Sequence, residues 1–244
     1  MVDPFAPEKH LMKLIQQQSI DEIRDICQNN NSSVNFDYIS KESGRSLLYE
    51  AVEQGNCVIV GCLLTAGANP NKKNIDYFLP LHRALSLSNS DPNYIEIIQC
   101  FLKCPELELN KKGFSGRGVL QWTRKHHLLK ILMASGASVD MQDDVGTTPL
   151  MEACQHGDLD LLNIFLRGQP DLTLKNINGK TAVHVAEQYD DEHCGERLRQ
   201  YITDLEAVEQ AKYNQQIKNN FEHVRQKSAS KLNLLKRKPP AAGK

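Results

Sequence analysis

The 244-residue sequence lacks the features by which secreted, membrane-spanning and strongly charged proteins are usually identified. No apolar run approaches the roughly 18 residues that a membrane helix needs. The opening MVDPFAPEKH has no basic segment followed by an apolar one, so no secretion signal of that type is expected. The formal net charge is −1, and no overall field therefore favours nucleic acid or an anionic membrane. These absences predict a soluble chain.

Motifs for catalysis and phosphate binding are also missing. The sequence contains no nucleophile elbow, Walker loop, HExxH motif or paired CxxC. The glycine-rich run GFSGRG at residues 113–118 lacks the following lysine of known phosphate-binding motifs, so a lengthened hairpin is the simpler interpretation. The sequence therefore predicts a protein that is not an enzyme, with no small-molecule substrate, no cofactor and no metal ion.

The seven cysteines are odd in number, and each lies in or beside an apolar helical pattern. That placement is unlike a small disulfide framework and favours a reducing compartment, which predicts a cytoplasmic location. Cys57, Cys62, Cys100 and Cys104 have helical spacings, but no pair of histidines is placed to complete a metal site. We expect these four thiols to fill the core.

What the sequence does contain is an internal repeat. LLTAGANPN at residues 63–71 has the same pattern as LMASGASVD at residues 132–140. Five segments superimpose on one another, and their anchoring residues lie 33, 39, 30 and 33 positions apart. A period near 33 predicts a solenoid of stacked units. The segments are residues 44–71, 77–110, 116–140, 146–173 and 179–202, and the anchors are Leu48, Leu81, Leu120, Leu150 and Val183.

Three of the segments contain FLPLHRA, TTPLMEA and KTAVHVA, which resemble the T-P-L-H-x-A motif of the ankyrin repeat. The resemblance covers roughly residues 10–202. It implies an all-α solenoid of stacked helical hairpins with β-hairpin or loop connections. Ser46, Thr148 and Thr181 can cap the first helix of their repeats. His82 and His184 occupy the histidine of the motif, which in this family typically bonds to neighbouring backbone and orders the hairpin.

The expected organisation has four parts. Residues 1–41 form an N-terminal capping repeat with a polar outer face, and residues 42–202 form about five ankyrin repeats. Counting the cap as the first repeat, the third has an insertion, SLSNSDPN, that predicts a longer helical turn. The fourth has lost its central glycine and about three residues, which predicts a bend or a shortened first helix. Residues 203–235 form a long C-terminal helix, and residues 236–244 a disordered basic tail.

The resemblance also implies which residues contact a partner, since ankyrin stacks present the hairpin tips and the exposed side of each first helix. Transferred by position, the predicted partner-binding residues are Arg45, Glu53, Gln54, Tyr77, Phe78, Phe114, Arg117, Val145, Thr147, Gln155, His156, Lys180 and Tyr189. Tyr77 stands where a repeat normally has glycine. Exposed aromatic and arginine side chains are typical of interface hot spots. The alternative is that the aromatic residues turn inward, with Trp122 in the core.

Two functions remain open at this point. The first is a non-catalytic scaffold that holds a protein partner on the concave face of the solenoid. The second is a secreted effector or adaptor acting on host proteins in the host cytosol, because the richness in Asn, Gln, Lys and Ile resembles ankyrin proteins of intracellular bacteria. In that alternative the C-terminal helix and basic tail carry export, targeting or a second binding site. Residues 227–244 hold six basic residues and no acid, so weak contact with a membrane surface is a further alternative for the tail.

Overall fold

The computed structural model describes residues 5–29, 34–189 and 192–236. Within these ranges the chain forms α-helices and two short 3-10 turns, and its one β-type pairing is an isolated bridge between Ile39 and Ser46. The predicted all-α solenoid with a long C-terminal helix is confirmed. None of the described helices is long and apolar enough to span a membrane. The helices are α1 (Ala6–Gln17), α2 (Ile20–Gln28), α3 (Leu47–Glu53), α4 (Cys57–Thr65), α5 (Pro80–Ser88), α6 (Tyr94–Leu102), α7 (His126–Ala134), α8 (Pro149–Gln155), α9 (Leu159–Leu166), α10 (Ala182–Gln188) and α11 (Glu192–Lys236).

The helices of residues 6–188 stack in two layers. Helices α1, α3 and α5 contact one another in sequence, as do α8 and α10, and they form the inner layer. Helices α2, α4 and α6 contact one another in the same way, as do α7 and α9, and they form the outer layer. The anchoring leucines predicted from the repeat, such as Leu48, Leu81 and Leu150, are buried between the layers. Each repeat of the sequence thus contributes one set of buried side chains to the core.

Side-chain caps start the inner helices. The Ser46 hydroxyl accepts a hydrogen bond from Tyr49 N at 3.1 Å, and the Thr148 hydroxyl accepts one from Met151 N at 3.2 Å. Both caps confirm the prediction, because each satisfies an amide that the first turn leaves without a partner. Thr181 differs. Its hydroxyl makes no cap bond and instead lies 2.7 Å from His184 Nδ1.

The tips between repeats are held by short polar side chains. The Oδ1 atoms of Asn74, Asp143 and Asn176 each accept two backbone N–H groups, two and four residues further on. Neighbouring tips are then joined by backbone bonds of 3.0 Å, from Ile75 N to Gly44 O, from Asp144 N to Ser115 O and from Ile177 N to Val145 O. This ladder fixes the positions of the tip side chains relative to one another.

The fourth repeat departs from this pattern in the way that its sequence predicts. Its first helix is reduced to a 3-10 turn at Val119–Gln121, and residues 122–125 run on to α7 without a second turn of helix. The third repeat compensates, because α5 has nine residues where α3 and α8 have seven. Asn89, just after α5, reaches across: its Oδ1 accepts from Thr123 Oγ1 and Arg124 N, and its Nδ2 donates to Trp122 O. The inserted residues therefore brace the shortened repeat.

The chain divides into a compact unit of residues 1–195 and a second unit of residues 196–244. The described part of the second unit is the remainder of α11, whose side chains are exposed over residues 203–219. The helix begins at Glu192, earlier than the predicted residue 203. The predicted basic tail lies outside the described residues, apart from Lys236 at the end of α11.

Candidate partner-binding surface

The thirteen predicted residues lie on the tips and inner helices, which together we call the inner face, and they fall into four groups. The first group is in the second repeat, the second surrounds the junction of the third and fourth repeats, and the third lines a cavity in the fourth repeat. The fourth group lies on the fifth and sixth repeats. The groups are Arg45, Glu53 and Gln54; Tyr77, Phe78 and Phe114; Arg117 and His156; and Val145, Thr147, Gln155, Lys180 and Tyr189.

The first group is a polar network that the chain satisfies by itself. The buried carboxylate of Glu50 accepts hydrogen bonds from Arg45 Nη1 at 3.2 Å and from Gln54 Nε2 at 3.1 Å. Glu53 accepts two bonds from Arg83, of 2.7 and 3.3 Å. This hydrogen bond to Glu53 is also the main reason that the pKa of Arg83 is raised. These side chains brace adjacent inner helices, and a partner could contact Arg45 or Gln54 only by exchanging an existing bond.

The remaining predicted basic residues are engaged as well. Arg117 Nη2 donates to Glu152, and Lys180 Nζ donates to Gln188. The Arg117 guanidinium also lies 5.5 Å from the centre of the Trp122 ring, a cation–π distance. The inner face therefore presents these cations already paired within the chain.

The second group forms an aromatic cluster across the third and fourth repeats. The rings of Phe78 and Phe114 are stacked, with centres 4.6 Å apart, and the edge of Trp122 meets Phe78 at 5.7 Å. Phe114 remains 44% exposed, whereas Trp122 is half-buried and its Nε1 atom is buried without a hydrogen-bond partner. Each alternative drawn from the sequence thus holds in part: Trp122 turns inward and Phe114 keeps a face in solvent. Tyr77 is exposed beside Lys73.

His82 is buried beneath this cluster and stacks on Trp122 at 5.5 Å. Its Nδ1 atom has no hydrogen-bond partner, because Leu79 occupies the position at which Thr181 serves His184. Burial, with a smaller contribution from Lys73, lowers the pKa of His82 to about 3. A Cβ at residue 113 would clash with the Nδ1 atom, so Gly113 stands where three other tips have Asn74, Asp143 and Asn176. The family resemblance implies a bond from this imidazole to neighbouring backbone, whereas His184 Nδ1 lies against the Thr181 hydroxyl and His82 Nδ1 has no partner.

Four residues of the fourth group line a cleft of about 300 Å³, which we call the Tyr189 cleft, and Lys180 is outside this lining. Its apolar rim is exposed: Val145 by 49%, Ile177 by 71% and Tyr189 by 48%. Gln155 Nε2 donates to the Tyr189 hydroxyl at 3.1 Å and orients the ring. Thr147, Met151 and Val185 complete the apolar part of the lining. An exposed apolar rim with amide and hydroxyl groups suits an extended peptide segment.

The third group lines a second cavity, of about 290 Å³, at the place where the fourth repeat lacks its inner helix. We call it the fourth-repeat cavity. Arg117 and His156 were predicted from the sequence, but Ser86, Asn89 and Arg124 were not. The signal that could have identified them is the loss of three residues between Leu120 and the outer helix. A gap in the inner layer exposes the neighbours of the missing helix.

The cysteines offer no reactive site. All seven are free thiols, and burial is the main reason that the pKa of Cys27 is raised to about 11, which keeps the thiol protonated. Only Cys154 and Cys194 are fully buried, so the expectation that Cys57, Cys62, Cys100 and Cys104 are core residues is wrong; they are half-buried. Outer helices have one side facing solvent, which their apolar spacing does not reveal. In the part of the chain that the structure describes, no group of three or more potential metal ligands converges.

Two family models match the sequence, and both describe ankyrin repeats. One covers residues 43–75 as a single repeat, and the other covers residues 117–209 as three copies. Together they span just over half of the chain. The chain belongs to the ankyrin-repeat family. The interval between the two matches contains the third repeat, with its longer inner helix, and the start of the fourth.

Several proteins with ankyrin repeats are similar in sequence. Human transient receptor potential cation channel subfamily A member 1 is 27% identical over 172 residues, which are 66% of this chain and 15% of the channel. Human ankyrin repeat and SOCS box protein 3 is 28% identical over 140 residues, 54% of this chain and 25% of that protein. A putative ankyrin repeat protein of fowlpox virus is 26% identical over 165 residues, 55% of this chain and 88% of the viral protein. The chain thus spans a quarter or less of the two human relatives.

Solved ankyrin structures share the fold. The ankyrin repeat protein EF0377 superimposes with a TM-score of 0.68 at 25% identity, covering 82% of this chain and all of that one. An ankyrin repeat domain from Acinetobacter baumannii gives 0.67 at 20% identity, covering 80% and 98%. Ankyrin repeats generally mediate protein–protein interaction, so the ankyrin fold implies a protein partner for this chain.

Proposed function

We propose that this ankyrin protein is a non-catalytic scaffold that binds an extended segment of a protein partner along its inner face, with the Tyr189 cleft as a principal contact. One observation carries the proposal: Val145, Ile177 and Tyr189 are all exposed around one cleft, although apolar side chains of this size are usually buried. Exposed apolar surface rimmed by polar groups is typical of interaction sites. The Asn178 and Gln188 side chains supply that polar rim.

The local structure favours binding because it is already ordered. The Val145 and Ile177 tips are joined by a backbone hydrogen bond of 3.0 Å, and Gln155 holds the Tyr189 ring at 3.1 Å. Immobilising a flexible side chain costs roughly 0.5–1.5 kcal/mol on association, and a side chain that is held before the partner arrives avoids much of that cost. Most of the conformational entropy that is lost on binding is then lost by the partner.

The test compares two double variants in binding to a purified partner identified by affinity capture. Ile177→Ser/Tyr189→Ala removes the apolar rim, and we expect it to weaken binding at least about tenfold, since a central aromatic contact is commonly worth 1–2 kcal/mol or more. The matched control is Val58→Ser/Ile131→Ser, two exposed apolar residues of the outer helices. Circular dichroism confirms that each variant is folded.

Binding that the inner-face variant leaves unchanged would contradict the proposal. If deletion of residues 203–244 then abolished capture while the solenoid remained folded, the C-terminal helix would carry the interaction instead.

A further inference from the structure

The fourth-repeat cavity has an apolar floor and a polar mouth. Its floor is made by the buried side chains of Leu120, Ala153, Leu161 and Phe165, which belong to the core of the fourth and fifth repeats. The polar and charged part of the lining includes Ser86, Asn89, Arg124, Glu152 and His156. In a regular repeat an inner helix would cover this floor. Here the 3-10 turn is too short to do so, and the gap reaches from the inner face to side chains of the outer helix α9.

The cavity is held open by specific bonds. Asn89 bonds to the backbone at Trp122 and Arg124 at 3.2 Å, which holds this segment beside the floor. On the opposite wall, Glu152 is held by Arg117, and His156 Nδ1 lies 2.8 Å from the Glu152 carbonyl oxygen. Because both walls are braced, the space is a stable feature of the folded protein.

Arg124 brings a positive charge to the lining of the cavity, and Lys125 follows it in the chain. Both side chains are exposed. Among the described residues neither Arg124 nor Lys125 makes an ion pair, whereas the carboxylate of Glu152 is already neutralised by Arg117. A partner segment that approaches the cavity therefore meets cations without an ion-pair partner beside an apolar floor. The cations attract acidic residues, and the floor favours contact with an apolar side chain.

The volume limits the occupant. A cavity of about 290 Å³ is at the lower edge of the range of roughly 300–1,000 Å³ found for small-molecule and cofactor sites. It suits a single large side chain entering from an extended backbone. Of the charged side chains in its lining, Arg117 and Glu152 already bond to each other, which leaves Arg124.

We propose that the fourth-repeat cavity receives one apolar side chain, of the size of leucine or phenylalanine, from an acidic segment of the partner, and that Arg124 and Lys125 pair with Asp or Glu beside that side chain. This inference rests on the proposed scaffold function and names the chemistry of the partner that the scaffold holds. Burial of the apolar side chain contributes affinity, and the cations fix the register of the segment along the inner face.

A displayed library of random peptides, selected on the full chain, provides the probe. The selected peptides should share one apolar residue flanked by Asp or Glu. Synthetic versions in which this residue is replaced by alanine should bind about tenfold or more weakly, in line with the free energy of burying one large apolar side chain. Replacement of the flanking acids by Asn should weaken binding and remove most of its dependence on salt concentration.

Two independent variants locate the site. Ser86→Phe fills the mouth of the cavity, and its control Ser135→Phe places the same ring on the exposed end of α7. Arg124→Glu/Lys125→Glu reverses the charge at the rim, and its control Lys103→Glu/Lys130→Glu makes the same change of net charge on the outer helices. Each cavity variant should lose at least about tenfold in affinity for the selected peptides, whereas each control should bind as the unmodified chain does.

The outcomes separate the two proposals. Selected peptides that bind both cavity variants as tightly as the unmodified chain, but bind Ile177→Ser/Tyr189→Ala weakly, overturn the cavity proposal and leave the scaffold function intact. Enrichment of basic peptides, or of peptides without an apolar residue, also overturns it. A selection that enriches no peptide at all contradicts both the cavity proposal and the binding of extended segments.

Discussion

The junction between the fifth and sixth repeats and the junction between the third and fourth repeats are held together by different means. At the first, Asp143 and Asn176 organise their tips, a backbone bond joins Ile177 to Val145, and Thr148 caps α8. At the second, Gly113 replaces the organising side chain, and among the described residues no backbone hydrogen bond joins tip 74–78 to tip 113–117. Stacked aromatic rings and Asn89 connect the repeats instead. The ankyrin pattern can therefore lose its local bonds where side chains from a neighbouring repeat replace them.

The largest effect is expected from adding a methyl group at the junction between the fifth and sixth repeats, which we call the regular junction. The junction between the third and fourth repeats is the irregular junction. Gly146 has φ +75°, and a Cβ there would lie 2.8 Å from the Asn176 Cα. We expect Gly146→Ala to lower the free energy of unfolding by about 3 kcal/mol, because the left-handed conformation alone costs an alanine about 1–2 kcal/mol and the next tip cannot move away. Urea denaturation followed by circular dichroism measures the change.

Tyr77, which occupies the equivalent position at the irregular junction, is the matched control. Its φ is +65°, but among the described residues no backbone bond joins its tip to the tip of the fourth repeat, so a large side chain fits there. Tyr77→Gly should raise the stability by up to about 1 kcal/mol through relief of the left-handed strain. Equal and opposite effects of the two substitutions would show that contact with the next tip is unimportant.

The second prediction concerns the buried histidine of the irregular junction. The pKa of His82 in the folded state is about 3, below the usual value near 6.5, so the unfolded chain binds this proton first as the pH falls. The folded state should therefore lose stability as the pH falls from 6.5 towards 3, by about 1.4 kcal/mol per unit and by about 2 kcal/mol at pH 5. Above pH 6.5 the residue contributes no pH dependence.

His82→Gln should remove this part of the pH dependence, measured as the difference between variant and unmodified chain in urea melts from pH 7 to about 5. His184→Gln is the control, because that imidazole bonds to Thr181 and lies outside the aromatic cluster. If both variants changed the slope of the free energy of unfolding against pH by the same amount, the burial of His82 would not be its cause.

The smallest effect is expected from Asn89→Ala, which removes three hydrogen bonds to residues 122–124. Because Asn89 is exposed, we expect a loss of about 1 kcal/mol, less than three buried bonds would give. Asn178→Ala, at the regular junction, should change stability by no more than about 0.5 kcal/mol. Thermal unfolding of the two variants side by side would show whether the insertion in the third repeat supports the fourth.

The sequence predicts the features that depend on residues close together in the chain. The period, the caps at Ser46 and Thr148, and the shortened first helix of the fourth repeat all follow from local patterns. The pairing of Arg83 with Glu53, the bonds of Asn89 and the burial of His82 do not, because each joins residues about 30 or more positions apart in neighbouring repeats. The candidate residues could therefore be assigned to the tips and inner helices, and their role in binding stays a prediction, whereas the division of that face into two cavities required the structure.

The ladder of bonds between tips has a consequence for the cooperativity of the whole stack. Each repeat in a solenoid gains much of its stability from its neighbours, so the strength of each interface decides how far unfolding spreads. The ladder continues from the fourth repeat to the sixth and joins the second to the third, but it is interrupted between the third and the fourth. Between the third and fourth repeats, the stacked rings of Phe78 and Phe114 and the bonds of Asn89 take the place of the ladder, so the coupling there depends on side chains. A segment bound in the fourth-repeat cavity that also contacts the third repeat would strengthen this coupling.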